Sequence, residues 1–209
     1  MEQKRCVILC AGSTTAEDVA RAAITAQDDV IAADAGYLHC NRFGIIPNLI
    51  VGDFDSSADP GALEIPIQRF SSHKDDTDCL LAVRRGLEED CARFVILGGL
   101  GGRLDHTLAN LQTLVFLADH GARGELIGDG SHITLLRSGS LCLPKQPGYL
   151  SVFAFGGPCS GVCLAGTEYP LEKADLTPHF PLGVSNHIVD DLATVSVEQG
   201  DLVVMTTTR

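Results

Sequence analysis

The chain has 209 residues and a formal net charge of −12, from 15 Lys plus Arg against 27 Asp plus Glu. A composition that is 45% hydrophobic and 20% charged is that of a folded globular protein and excludes disorder, collagen and coiled coil. The acidic balance argues against a sequence-independent grip on nucleic acid or on an anionic membrane, because both need a basic face; phosphate ligands stay open, since divalent cations bridge acidic side chains to them.

In chain order, the short apolar part after MEQKR does not suffice for a signal peptide. Cys6 to Ala11 (CVILCA) is a continuous apolar run, the mark of a strand buried on both faces. Thr14 and Glu17 are spaced as a capping box that opens an Ala-rich helix to about Gln27. Val30 to Ala33 is a second buried run, followed by a short helix over Tyr37 to Phe43 that Gly44 closes. Asn48 to Gly52 is a third run. Leu80, Leu81, Val83 and Leu87 lie near helical spacing within Thr77 to Glu89, and Phe94 to Leu97 is a fourth run. Asp105 to His120 makes the next helix, with Gly121 just past its end. Strand–helix alternation of this kind predicts a parallel sheet covered by helices. The longest apolar stretch, Leu108 to Ala118, is broken by Asn110, Gln112 and Thr113, so no bilayer span is expected and the cytoplasm is the expected location.

After Gly121 the pattern changes. Short apolar runs recur at Glu125 to Gly128, His132 to Leu136, Leu150 to Phe155 and Val162 to Ala165, separated by turn pairs such as Asp129-Gly130 and Gly156-Gly157. The end, ATVSVEQGDLVVMTT, reads as a hairpin turning at Gln199-Gly200-Asp201. The expected fold class is α/β: an N-terminal parallel-sheet α/β domain over 1–123, followed by a smaller antiparallel β-sandwich or barrel domain over 124–209. The eight cysteines include no CxxC pair and fall mostly in apolar runs, which fits buried reduced thiols rather than structural zinc.

In doubly wound sheets, ligands bind beyond the carboxyl ends of the strands. Four such ends carry unusual residues: Ala11-Gly12-Ser13, Ala33-Asp34-Ala35-Gly36, Gly52-Asp53-Phe54-Asp55-Ser56, and the run Gly98 to His106. Asp53 and Asp55 are two apart, so in extended backbone their carboxylates point the same way and would attract a hard divalent cation. An acidic turn after a strand is the plain alternative. Lys74-Asp75-Asp76-Thr77-Asp78 by itself reads as helix punctuation, where acids suit the dipole. Gly98 to His106 resists a plain reading. Four glycines in five residues leave the backbone free to approach phosphate, and Arg103 adds a planar bidentate donor. The run is neither a P-loop nor the dinucleotide GxGxxG.

The strings ADAG, PNLIVGDFDS, KDDTD, GGLGGRLDHTLAN and GVSNHI occur in the order and rough spacing seen in thiamine pyrophosphokinases, and the chain resembles that family from its first strand to about Ile188. The resemblance implies a homodimer with shared active sites and transfer of a diphosphate group from ATP to the thiamine hydroxyl, releasing AMP, with magnesium. It implies that Asp53, Asp55, Asp75 and Asp78 serve the metal and phosphates, while Asp76 falls at a variable position. Arg103 and Asp105 match the loop against the nucleotide phosphates and thiamine, Arg103 neutralising charge and Asp105 orienting or accepting the alcohol proton. Asp34, Gly36, Ser56 and Lys74 fall in the same strings and are expected to contact ligand, as are Gly101, Gly102 and His106. Ser185 and Asn186 match a pair that reaches the thiamine site from the other subunit. Three features depart from the family pattern: Ala35 where Gly is common, His187 where Glu is frequent, and the absence of Trp for stacking on thiamine. Two rivals stand beside this reading. Asp-Phe-Asp-Ser loosely mimics the motif of magnesium phosphohydrolases, and a non-catalytic nucleotide- or thiamine-sensing dimer would keep the same pocket.

Overall fold

Apolar runs without polar alternation need cover on both faces, and the first half of the chain supplies it. The computed structural model describes residues 3–12, 16–55, 60–61, 64–71, 75–128 and 130–208. They fall into two compact units, Met1–Asp129 and Gly130–Arg209. In the first, β1 (Arg5–Leu9), β2 (Asp29–Ala33), β3 (Leu49–Gly52), β4 (Ile67–Arg69), β5 (Arg93–Leu97) and β6 (Arg123–Gly128) pair in parallel in the order β4-β3-β2-β1-β5-β6. The helices are α1 (Glu17–Ala23), α2 (Gly36–Phe43), α3 (Asp78–Glu88) and α4 (Leu104–Asp119).

Strand side chains alternate between faces. Val7, Leu9, Val30, Ala32, Val95 and Leu97 join Ala20 of α1 and Tyr37, Cys40 and Phe43 of α2 in one core. The opposite face meets α3: a Cβ on Gly86 would stand 2.6 Å from the Phe94 ring and 3.1 Å from the Cys6 sulfur, so only glycine lets the helix sit this close. Phe94, Ile8 and Ile96 are fully buried there. Helices thus cover both faces of the sheet.

In the second unit, β7 (Ser131–Leu136), β8 (Gly139–Pro144), β9 (Tyr149–Ala154), β10 (Cys159–Ala165), β11 (Leu171–Leu176), β12 (Leu192–Val197) and β13 (Leu202–Thr207) form two antiparallel sheets, β7-β13-β9 and β11-β10-β12-β8. Leu150, Val152, Leu202 and Val204 of the first meet Val162, Leu164, Val195 and Val197 of the second in one core, which makes the unit a sandwich rather than a closed barrel.

Several expectations need correction. The terminal hairpin does not exist, because β12 pairs with β8 and β10 while β13 pairs with β7 and β9. The inward residues of the two strands meet across the core instead of lying side by side, and Gln199 bridges to Ser160. The run from Glu125, grouped by turn spacing with the later strands, pairs in parallel with β5. Helix α1 ends at Ala23 rather than near Gln27: Ile24 is extended, the Thr25 amide donates to the Asp28 carboxylate at 2.6 Å, and Arg5 Nη2 donates to the Ala23 carbonyl at 2.9 Å. Its N-cap is Ala16, with no side-chain cap; Thr14 lies outside the described residues. Strands β4, β8 and β11 had no expected counterpart. Among the described residues, no helix is long and apolar enough to cross a membrane. Six of the eight cysteines are buried, Cys163 is half-buried and Cys142 is exposed, and all are free thiols.

Candidate active site

Strand order reverses between β1 and β5, and in such sheets the crevice at the reversal is where ligands sit. A cleft of about 370 Å³ opens there, lined among others by Gly12, Asp34, Asp78, Gly98, Arg103 and Asn110. The backbone explains its shape. Past the strand ends, the Cys10 amide donates to the Leu97 carbonyl at 2.8 Å and the Gly12 amide to Gly98 at 3.0 Å. A Cβ on Gly12 would overlap the Gly98 carbonyl oxygen, and one on Gly36 would overlap that of Leu9. Gly98, Gly101 and Gly102 take positive φ of 67°, 77° and 65°, turning the chain so that α4 starts at the cleft mouth. Ala35, by contrast, has φ −62°, so the departure from the family's double glycine leaves that turn intact. Asp34 itself takes φ 47° and its amide donates to Val51 at 2.7 Å.

Asp53 and Asp55 follow β3, but the backbone between them is not extended. Phe54 has φ 56°, a conformation that costs a bulky residue roughly 1–3 kcal/mol. It persists because the ring is only 9% exposed in the core and lies 5.1 Å from the Arg69 guanidinium carbon. The Asp55 amide donates to Asp53 Oδ1 at 3.3 Å, so the two acids share one tight turn. Neither lines the cleft; Asp34 and Asp78 are the carboxylates that do among the described residues. Asp75 is exposed ahead of α3, Thr77 caps that helix by accepting from the Leu80 amide at 3.2 Å, and Asp78 opens it. Among the described residues, no three His, Cys, Asp or Glu side chains stand close enough to hold a metal by themselves. Ser56 and Lys74 lie outside the described residues.

Arg103 and Asp105 form a two-pronged pair, Nε to Oδ1 at 3.2 Å and Nη2 to Oδ2 at 2.6 Å, with side chains 72% and 64% exposed. The Arg103 hydrogen bonds hold the Asp105 carboxyl below its usual range. A lowered pKa keeps the pair intact through the neutral range and opens it only as pH falls through that value. His106 lines the cleft as the next residue. Cys10 is walled in beside Cys79, and the hydrogen bond between them and burial push its thiol up, so it faces the cleft as a neutral group. Asn110, not singled out by the sequence reading, is 5% exposed and its Nδ2 donates to the Gly99 carbonyl at 2.7 Å. It ties the glycine turn to the second turn of α4. Its sequence signals are its place at the end of the string GGLGGRLDHTLAN and as a polar break in an apolar stretch.

In the second unit, Ser185 is exposed with φ 59° and its amide donates to Ser151 Oγ at 3.0 Å. Asn186 is 2% exposed, and its side chain is engaged within its own chain: Nδ2 donates to the Tyr169 carbonyl at 2.7 Å, and Oδ1 accepts from the Tyr169 amide at 3.0 Å and the His187 amide at 2.9 Å. His187 Nδ1 lies 2.8 Å from the Gly148 carbonyl, with its ring 5.0 Å from that of Tyr149.

The family model described as thiamin pyrophosphokinase, catalytic domain, matches residues 20–124, and that for the thiamin pyrophosphokinase vitamin B1 binding domain matches 141–202. A thiamine pyrophosphokinase of Bacillus subtilis (strain 168) is 30% identical over 185 residues, covering 85% of this chain and 86% of the relative. The crystal structure of thiamine pyrophosphokinase from Bacillus subtilis superposes with a TM-score of 0.88 at 27% identity, over 99% of this chain and 100% of that one. A thiamin pyrophosphokinase family protein from Enterococcus faecalis gives 0.81 at 25%, over 99% and 100%. Thiamin pyrophosphokinase from Candida albicans, 15% identical over 98% of this chain and 89% of that one, shares the fold with a TM-score of 0.82.

Proposed function

Because the chain belongs to the thiamin pyrophosphokinase family, we infer that it transfers the diphosphate group of ATP to the hydroxyl of thiamine, giving thiamine diphosphate and AMP. The observation that carries this is the turn from Gly98 to Arg103 at the switch-point cleft, in a chain whose two halves each match the family. The alcohol oxygen attacks the β-phosphorus, the bond from that phosphorus to the oxygen of the α-phosphate breaks, and AMP leaves with that oxygen. The glycine turn lets backbone come close to phosphate oxygens, and the exposed Arg103 fork is free to exchange its carboxylate partner for them. Arg103 holds the Asp105 carboxyl below its usual range while the two are paired; once the fork turns to phosphate, Asp105 is released to orient or accept the alcohol proton.

The donor chemistry at this sheet edge fits a hard cation, since Asp53, Asp55, Asp75 and Asp78 all offer carboxylate oxygens. They do not form one cluster among the described residues, so magnesium would be held by fewer than three of them at a time and would draw most of its ligands from phosphate and water. When bound with the nucleotide, magnesium supplies charge compensation on the phosphates. Two copies sharing sites is the companion proposal. It is supported by the exposed apolar side chains of Phe180, Leu182, Val184 and Val189, which flank the exposed Ser185. A sedimenting mass of two chains checks it. Free, mostly buried thiols support a reducing compartment such as the cytoplasm.

The deciding experiment is AMP release from Mg-ATP with thiamine. Stoichiometric AMP and thiamine diphosphate are expected; inorganic phosphate instead would favour the phosphohydrolase, and ligand binding without product would favour the sensor. In the same assay, Arg103→Lys is expected to lower kcat/KM roughly tenfold or more, because a point charge replaces a planar fork. Unchanged kinetics would return Arg103 to the ordinary surface.

A further inference from the structure

Cys6 lies on β1 and Cys10 just past its end, four positions on, so the pleat turns both side chains to one face, the face that α3 covers. On α3, Cys79 and Gly86 are seven positions apart, which is two helical turns, and both are buried on one stripe. The two periods match. Gly86 sits over the Cys6 sulfur, where a Cβ would come within 3.1 Å of it. At the helix start Cys79 meets Cys10, whose thiol donates a hydrogen bond to the Cys79 sulfur. Past the other end of the helix, the Cys6 thiol donates to Cys91 in the same way. Thiol pairs therefore join β1 to both ends of α3. They differ in access. Cys10 and Cys79 line the switch-point cleft, whereas Cys6 and Cys91, 0% and 3% exposed, do not.

We propose that Cys10 and Cys79 form a modification site for low-molecular-weight disulfides, which convert the pair to an intramolecular disulfide and narrow the cleft. Its hydrogen bond and burial keep Cys10 in the thiol form, so Cys79 makes the first attack. The Cys79 sulfur displaces one small thiol and becomes a mixed disulfide; the Cys10 sulfur then displaces the second. Two protein thiols are oxidised, one small disulfide is reduced, and the two protein thiol protons leave on the two small thiols released. The sulfurs close to about 2 Å, shorter than any hydrogen bond between them. That draws the start of α3, with Asp78, toward the turn at Ala11-Gly12, and all three residues line the cleft. The linkage needs only the cleft; its effect on nucleotide rests on the reading of that cleft as the site for ATP.

The test incubates the full chain with 2-hydroxyethyl disulfide, blocks the remaining thiols with N-ethylmaleimide and maps linked peptides by mass spectrometry. ATP affinity in saturating magnesium is measured by calorimetry before and after. The link between Cys10 and Cys79 is expected to form roughly tenfold or more faster than one between Cys6 and Cys91, because exchange follows access to the sulfur. The linked chain should bind ATP about tenfold or more weakly, and dithiothreitol should restore the affinity. Cys79→Ser should bind ATP equally well before and after the same treatment, which sets aside any reaction at the exposed Cys142. Absence of the link, a mixed disulfide that persists on Cys79, or equally fast linkage of Cys6 to Cys91 overturns the site. A linked chain with the affinity of the reduced one overturns the narrowing. If the reduced chain binds no Mg-ATP, the reading of the cleft falls and the narrowing with it, while the peptide map still decides the site.

Discussion

Asp53→Asn and Asp55→Asn are each expected to lower turnover by about three orders of magnitude, a loss of roughly 4 kcal/mol in the barrier. The substitution separates charge from shape. Asp53 Oδ1 accepts the Asp55 amide at 3.3 Å, and an asparagine oxygen can accept the same bond, so the turn around Phe54 should survive. Only the anions disappear. Without them an acidic protein, at −12, has less means of holding a polyphosphate through a cation. Melting temperature should remain close to that of the parent, and ATP affinity should lose its response to magnesium. Either variant turning over at near-parent rates in saturating magnesium would remove that residue from the proposed metal set.

The second large effect concerns two adjacent positions with opposite expected outcomes. A Cβ on Gly36 would overlap the Leu9 carbonyl oxygen and stand 3.3 Å from the Cys10 carbonyl carbon, with backbone rather than a flexible side chain on the other side. Gly36→Ala must push α2 away from β1, at a cost of about 3 kcal/mol or more, and should lower the melting temperature by roughly 6–12 °C. It should weaken ATP binding as well, because the displaced segment follows Asp34 in the cleft wall. Ala35→Gly, one residue earlier, restores the family's usual glycine at a position with φ −62° and should change stability by less than about 1 kcal/mol. Paired thermal melts decide it: equal melting temperatures for the two variants would mean that α2 does not approach β1 so closely.

The sequence shows the first unit well because its signals are physical and local. Continuous apolar runs mark β1, β2, β3 and β5, and Thr77 caps α3 where a capping residue precedes helical spacing. Strands β4, β8 and β11 escaped because IQR, GSLCLP and LEKADL mix polar and apolar residues with only partial cover, and short edge segments look like loops. Turn chemistry at Gly200 suggested a hairpin, but a turn constrains only its neighbours and does not say which sheet a strand joins. The site divides in the same way. Four strand-end loops on one edge follow from a parallel topology, so their clustering was readable. The directions of Asp53 and Asp55 depend on the left-handed Phe54, and the work of Asn110 depends on α4 lying beside Gly99, neither of which any spacing rule encodes.

The position of β13 has a consequence for synthesis. It is the middle strand of β7-β13-β9 and supplies Leu202 and Val204 to the sandwich core, yet Thr207 meets Ser131 from 76 positions away. While the chain is being made, β7 and β9 emerge early and wait with open edges until the strand that belongs between them has left the ribosome. The parallel pairs of the first unit, by contrast, are all made among strands that precede β7 in the chain. Nascent chains should therefore become protease-resistant in two steps, the later one appearing only when Leu202 to Thr207 is free to insert.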